Sequence, residues 1–272
     1  MTVIEAILLG IIQGITEFLP ISSDGHLELG KALLGIQSAD NLMFVVLVHG
    51  ATVLSIIILF WKDIFFLLKQ LFRFRVNEHT RYIAKLAISM IPVGLVGVFL
   101  EDYVAALFGG KVILVGILLI INGFILLASN WRVKEYTNGK VSFSDALLIG
   151  IAQSVAVLPG ISRSTCTIST ALMLGVERTE AARFSLLMVI VPILGATMLK
   201  AKDLFEATGS ASAATASGET ALPYVVGFLA AFLTGLLACR WLVILVKRGK
   251  FSYFAYYCFA VGIAAVIWGL LR

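Results

Sequence analysis

Six apolar runs of about the length that crosses a hydrocarbon core dominate this chain, and they restrict what it can fold into. They are Leu42–Trp61, Tyr82–Leu100, Lys111–Trp131, Ala182–Lys200, Leu222–Val246 and Phe251–Leu271. Hydrophobic residues make up 60% of the chain, well above the apolar share of a soluble domain. Unbroken apolar runs lack the in-out alternation of barrel strands, so the expected fold is an all-α polytopic membrane protein. A single integral membrane domain spans residues 1–272 on this reading.

The net charge of +5 does not point to nucleic acid, because the basic residues gather in short loops beside the apolar runs. Lys62, Lys69, Arg73, Arg75 and Arg81 sit in one such loop, Arg132, Lys134 and Lys140 in a second, and Lys247, Arg248 and Lys250 in a third. By the positive-inside rule these three are cytoplasmic. The Glu101-Asp102 loop and the stretch Asp203–Ala221 lack that excess and belong outside, the latter as a flexible surface loop. Phe65 and Phe66 beside Lys69 and Arg73 read as an interfacial amphipathic helix. Glu5 and Gln13 interrupt the N-terminal run, which therefore does not resemble a cleavable signal peptide. Cys166, Cys239 and Cys258 all fall in apolar surroundings and read as buried thiols.

Two further apolar regions collapse into polar breaks. The first break runs from Gln13 to His26, between arms Val3–Leu19 and Leu27–Leu34. The second runs from Gln153 to Thr167, between arms Phe143–Leu158 and Cys166–Leu174. The loop charges make the second region enter and leave on the cytoplasmic side, which fits a re-entrant hairpin better than two crossings. Weak internal repetition extends the argument to the first. Gly10-Ile11-Ile12-Gln13 echoes Gly150-Ile151-Ala152-Gln153, Gly50-Ala51-Thr52 echoes Gly195-Ala196-Thr197, and Val115-Gly116-Ile117 echoes Val261-Gly262-Ile263. Each half, approximately residues 1–131 and 142–272, is then one hairpin plus three transmembrane helices. Three spans is an odd number, so the expected repeats have inverted topology and their hairpin tips meet inside the bilayer.

Polar groups at such depth are expensive and mark function. Ser22 or Ser23 is suited to cap the second arm of hairpin one, and Ser162 or Ser164 that of hairpin two. Two helix N-termini plus Arg163 then make an anion site, with phosphate the expected occupant. If Ser23 and Ser164 are the caps, His26 and Thr167 occupy corresponding slots three residues on. Glu17 and Gln13 share one helix face; Glu17 suits a general base or a divalent-cation ligand, and Gln13 adds an oxygen. His26 suits proton transfer or attack on phosphorus, and Ser23 is an oxygen nucleophile if Glu17 or His26 serves as its base. Plainer roles stand beside these: Ser22 and Ser162 as caps only, and Gln13 and Gln153 bonding unpaired backbone in the breaks. Asp24 and Glu28 read as solvated residues at a site mouth, and His49 is placed to line a cavity without an assigned role.

At these two motifs, Gln13-Gly14-Ile15-Thr16-Glu17-Phe18-Leu19-Pro20-Ile21-Ser22-Ser23-Asp24-Gly25-His26 and Pro159-Gly160-Ile161-Ser162-Arg163-Ser164-Thr165-Cys166-Thr167, the sequence resembles the bacterial undecaprenyl-pyrophosphate phosphatase family, also called bacitracin-resistance proteins. The resemblance covers essentially the whole chain. It implies hydrolysis of C55 polyprenyl pyrophosphate to the monophosphate at the outer face of the bacterial inner membrane, recycling the carrier for peptidoglycan synthesis. It also implies re-entrant hairpins in inverted repeats. Carried over by motif position, Glu17 and Gln13 fill the acidic-or-amide slots, Ser23 and His26 the nucleophile and acid/base slots, and Arg163 the phosphate clamp. Ser22, Ser162, Ser164 and Thr167 would line the pyrophosphate site. The resemblance further implies a divalent cation, Mg2+ or Ca2+, with Glu17 and Gln13 as its protein ligands. Gln13 departs from members with Glu there, and Asp24 departs from the more usual small hydroxyl residue. Expected partners are the lipid pyrophosphate and the bilayer, with a homodimer left open and nucleic acid excluded. The rivals are a PAP2-type phosphatase, which lacks its required His after Ser162-Arg163, and a polyprenyl-phosphate flippase or other inverted-repeat transporter. Attack by Ser23, by His26 or directly by water all remain open at this level.

Overall fold

The computed structural model describes residues 1–36, 42–72, 76–131, 139–208, 221–249 and 251–272. Among these residues it is helical: α1 Val3–Phe18, α2 Ser23–Leu34, α3 Leu42–Leu59, α4 Trp61–Leu71, α5 Glu78–Phe99, α6 Glu101–Ala105, α7 Val112–Trp131, α8 Phe143–Val155, α9 Arg163–Met173, α10 Arg178–Thr208, α11 Leu222–Arg248 and α12 Ser252–Leu271. Five of these, α5, α7, α10, α11 and α12, contain a stretch long and apolar enough to cross a membrane. The sixth expected span is a bent pair, α3 and α4, turned through 77° at Phe60.

That bend ends α3 at Leu59 rather than Trp61 and sets α4 where Phe65 and Phe66 beside Lys69 and Arg73 read as an interfacial amphipathic helix. Trp61, Phe65, Leu68 and Phe72 are exposed at helical spacing along α4 and just beyond its end, the stripe expected of a helix lying in a membrane interface. A second correction concerns the polar stretch from Asp203. Helix α10 continues to Thr208, because Lys202, Leu204, Phe205, Glu206 and Ala207 are compatible with helix and contain neither Gly nor Pro. Residues 209–220 of that stretch lie outside the described residues.

The packing places the two broken regions at the centre. Helix α1 runs against α11 and α8 against α5, while α7 pairs with α12 and α3 with both α10 and α11. Backbones come very close in the first two pairs. A Cβ added at Gly10 would stand 2.4 Å from Gly227 O, and one at Gly150 would stand 2.3 Å from Ser89 O. The largest buried cluster joins Phe18, Ile56, Ile149, Phe184, Met188 and Leu242. Leu233, Leu237, Trp241 and Ile244 of α11 are exposed, as a lipid-facing surface requires. In such a solvent, close packing rather than apolar burial supplies most of the helix association. The three cysteines are free and buried, as expected.

Candidate active site at the hairpin tips

Helix α1 stops where Pro20 disfavours helical backbone in the residue before it: Leu19 is extended, with φ −64° and ψ 147°. Ser22 then adopts φ +70°, a left-handed conformation that costs a non-glycine residue about 1–3 kcal/mol. It is held there by its own hydroxyl. Ser22 Oγ accepts from Gly25 N at 3.3 Å and so caps α2, and it also accepts from Gly160 N at 3.1 Å across the gap to the second tip. Gly160 has φ +119°, which any side chain would oppose. At the second tip Ser162 Oγ accepts from Thr165 N at 3.3 Å and caps α9. The caps are therefore Ser22 and Ser162, not Ser23 and Ser164, and the conditional pairing of His26 with Thr167 does not arise from them. The second arms reach further into the breaks than expected, with α2 starting at Ser23 and α9 at Arg163, while the first arms stop short of Leu19 and Leu158, at Phe18 and Val155.

A side chain that the sequence reading passed over fastens the tips together. Asn122, fully buried in the middle of α7, donates from Nδ2 to Pro20 O at 3.0 Å and accepts at Oδ1 from Ser162 N at 2.9 Å. Thr165 Oγ1 also donates to Pro20 O at 3.0 Å. The available signal was local: Asn122 is an amide in the middle of an apolar span, where polar groups are expensive.

At the junction sits Glu17, its side chain 2% exposed. Arg163 Nη2 donates to Glu17 Oε1 at 2.6 Å, and Ser23 Oγ and Gln13 Nε2 donate to Oε2 at 2.6 and 2.8 Å. The structure thus brings Gln13, Glu17, Ser23 and Arg163 into one hydrogen-bonded chain. His26 stands apart from it. Its Nδ1 lies 2.8 Å from Ser22 O and its Nε2 2.9 Å from Tyr257 Oη, with the two rings stacked. Nδ1 faces a carbonyl and so carries the proton, which leaves Nε2 to accept from the tyrosine hydroxyl. Tyr257 carried no sequence signal that separates it from Tyr253 or Tyr256.

Two residues without an expected role join the other flank of Glu17. His49 Nδ1 is 2.9 Å from Val45 O, and its Nε2 is 3.4 Å from Asp24 Oδ1 and 4.0 Å from Glu17 Oε2. Asp24, its side chain 30% exposed, thus borders solvent while approaching the site through His49. Glu28 is not solvated: it is 7% exposed, and Oε2 accepts from Gly109 N and Gly110 N at 3.3 and 3.1 Å while Oε1 meets Lys31 at 3.3 Å. It anchors α2 to the turn before α7.

On the Arg163 side a cleft of ≈ 310 Å³ open volume is lined in part by Glu17, Gln153, Arg163, Ser164, Thr167 and Ser185. Ser162 Oγ, turned inward as a cap, is 2.9 Å from Ser164 Oγ. Thr167 Oγ1 donates to Arg163 O at 2.8 Å and packs on Ser185 Oγ. Neither glutamine bonds backbone in the breaks. Gln13 Oε1 and both amide atoms of Gln153 are buried without a hydrogen-bond partner. Among the described residues, no group of three or more His, Cys, Asp or Glu is arranged to hold a metal ion. Gln13 Oε1 and Glu17 do offer two oxygens on one helix face. One of the two is a carboxylate, the least that Mg2+ takes from a protein when the rest of its shell comes from substrate phosphates and water.

The chain has near full-length relatives among known proteins. The chain is 47% identical over 267 residues to an undecaprenyl-diphosphatase of Bacteroides thetaiotaomicron, covering 98% of this chain and 99% of that protein. It is 48% identical over 269 residues to a protein of the same name from Christiangramia forsetii, covering 98% of each. A third, from Methanococcus vannielii, is 36% identical over 97% of this chain and 99% of its own length. The profile described as Bacitracin resistance protein BacA matches residues 6–264, and with near full-length relatives at this identity the chain belongs to the BacA bacitracin-resistance family.

Proposed function

We propose that the chain is an undecaprenyl-diphosphate phosphatase of a bacterial cytoplasmic membrane, releasing inorganic phosphate from the C55 lipid diphosphate at the outer face. The reading is carried by the Ser23–Glu17–Arg163 chain at the meeting of two helix N-termini. A hydroxyl 2.6 Å from a carboxylate is a nucleophile in contact with its base. The guanidinium and the α2 and α9 N-termini supply fixed positive charge for phosphoryl oxygens.

In this mechanism Ser23 Oγ attacks the terminal phosphorus and its proton passes to Glu17 Oε2. The bond from that phosphorus to the bridging oxygen breaks, and the lipid monophosphate leaves. Water then attacks the phosphoserine phosphorus, the Ser23 oxygen departs with the proton held by Glu17, and the water's proton leaves with phosphate. Arg163 keeps one N–H on Glu17 and turns others to the substrate, having five to share. His26, with both ring nitrogens engaged, shapes the first turn of α2 instead of attacking phosphorus. Glu17 and Gln13 Oε1 would hold a divalent cation arriving on the diphosphate, which when bound neutralises charge on the phosphoryl oxygens.

We place the site between two inverted-topology repeats. The packing of α1 on α11 and of α8 on α5 supports this, because each hairpin arm lies on the corresponding helix of the other half. Phosphate release by purified protein from a polyprenyl diphosphate in detergent tests the activity. Glu17→Ala and Arg163→Ala are each expected to abolish release in protein that remains folded, and full activity in either removes the assignment. Vectorial lipid movement without hydrolysis would replace the enzyme with a transporter.

A further inference from the structure

Helix α4 takes no part in the chemistry at the hairpin tips, yet each of its four sides has its own composition. Leu67 and Gln70 are buried and Asp63 is partly buried, so this line of the helix faces the protein. Packing pins it there. Asp63 pairs with Arg183 of α10, Gln70 Oε1 accepts from Asn77 Nδ2 at 3.3 Å, and Leu67 joins the largest buried cluster. Trp61, Phe65, Leu68 and Phe72 form the opposite, exposed line. At about 100° per residue, Lys62 and Lys69 fall on one row roughly a quarter turn from that stripe. Both lysines are exposed, and they stand two turns apart, about 10 Å along the axis. Ile64 and Leu71 occupy the side across from them. The four sides thus suit, in turn, acyl chains, headgroups, the protein and the hydrocarbon below.

We propose that α4 is a docking surface for anionic phospholipids of the cytoplasmic leaflet, with Lys62 and Lys69 holding headgroups while the aromatic stripe lies along the acyl chains. Charge complementarity supports it. The carboxylates on α4 and at the start of α5 are already paired, Asp63 with Arg183 and Glu78 with Lys140 at 3.2 Å. Among the described residues, neither Lys62 nor Lys69 pairs with a carboxylate. Lys62 Nζ lies 5.8 Å over the Trp61 ring, at the edge of the apolar stripe where an aromatic and a cation meet headgroup and chain together. The loop charges put this end of the bundle at the cytoplasmic leaflet, whose surface is anionic. The 77° bend after α3 supplies what a straight span could not. It lays the lysine row near the membrane plane, so that both cations reach headgroups at one depth. The surface is independent of the phosphatase reading.

The test is a thermal-melt titration of the full-length protein in nonionic detergent with phosphatidylglycerol, against phosphatidylcholine of the same acyl chains. Phosphatidylglycerol is expected to raise the melting temperature further than phosphatidylcholine, by mass action on the folded state. Lys62→Gln/Lys69→Gln removes the cation row and leaves the buried side of α4 intact. Without lipid it should melt with the parent, and it should need at least about tenfold more phosphatidylglycerol for the same shift. Lys247→Gln/Arg248→Gln removes equal charge from a different cytoplasmic loop and should stay within about threefold of the parent. If the α4 double variant melts below the parent without lipid, Lys69→Gln alone decides, with about a fivefold loss expected. The proposal is overturned if the two lipids shift the parent equally, or if the deciding variant keeps the parent's response. It is also overturned if Lys247→Gln/Arg248→Gln loses as much as the deciding variant, since charge anywhere on that face would then suffice. Phosphate release by the parent in the same detergent separates this surface from the enzyme. Turnover without a lipid-selective shift leaves the phosphatase standing and removes the docking surface; a selective shift without turnover does the reverse.

Discussion

Replacing Asn122 by alanine tests whether the two hairpin tips act as one assembled unit. The side chain touches both: Nδ2 meets Pro20 O at 3.0 Å and Oδ1 meets Ser162 N at 2.9 Å. The losses are unequal. Pro20 O keeps the Thr165 hydroxyl at 3.0 Å, so that side forfeits about 1 kcal/mol or less. Ser162 N, in a residue 4% exposed, is left with no acceptor, which costs about 1–3 kcal/mol. The sum is about 1–4 kcal/mol. On the scale of folded domains this size that is a melting-temperature drop of roughly 3–15 °C. Because Ser162 caps α9 and Arg163 follows it directly, the loosened tip moves the guanidinium, and a misplacement near 1 Å costs on the order of 10²-fold in rate. Asn122→Asp should be no better, since it keeps the acceptor for Ser162 N but turns an oxygen onto Pro20 O. The assays are detergent melting curves and phosphate release on the same preparations. Asn122→Ala that melts within about 2 °C of the parent and hydrolyses at the parent rate would refute the clamp.

Two further substitutions probe the frame around the site. Tyr257→Phe removes the hydroxyl on His26 Nε2 but leaves the stacked ring and the Nδ1 bond to Ser22 O. It is expected to slow release by about fivefold, the equivalent of one ordinary hydrogen bond, and less than His26→Ala does; equal losses would show that the hydroxyl alone holds the imidazole. Glu28→Ala strands the buried Lys31 ammonium and two backbone N–H groups, a loss of about 3–5 kcal/mol. Adding Lys31→Met should recover part of the lost melting temperature, and no recovery would mean that the Gly109 and Gly110 contacts carry the whole effect.

The site was legible where its logic is local. A serine at each tip begins the next helix, although the sequence left Ser22 or Ser23 and Ser162 or Ser164 open, and Glu17 lies one turn from Gln13; both follow from spacing along a few residues. His49 and Asp24 were legible as polar residues but not as neighbours, because their approach depends on the rotation of α3 about its axis. His26 was expected to serve proton transfer or attack on phosphorus, and its Nε2 instead meets Tyr257, 231 positions away. A residue in the first turn of a helix can face several directions, and only packing selects one. The 77° bend between α3 and α4 was legible only in part: the span and the interfacial helix both read from the sequence, but hydropathy carries no angle between them.

The sequence by itself determined that this chain lives in a membrane, that its backbone breaks twice at depth, and which polar residues stand at the breaks. Those properties are one-dimensional, set by apolar length, by proline and serine at helix ends, and by the cost of charge in hydrocarbon. The tertiary structure alone decided that Glu17 meets Arg163 from the other half of the chain, that Asn122 binds both tips, and that Gln153 is left without a partner at a cleft. Contacts between residues more than a hundred positions apart depend on how helices cross and rotate, and no periodicity within a single helix encodes that.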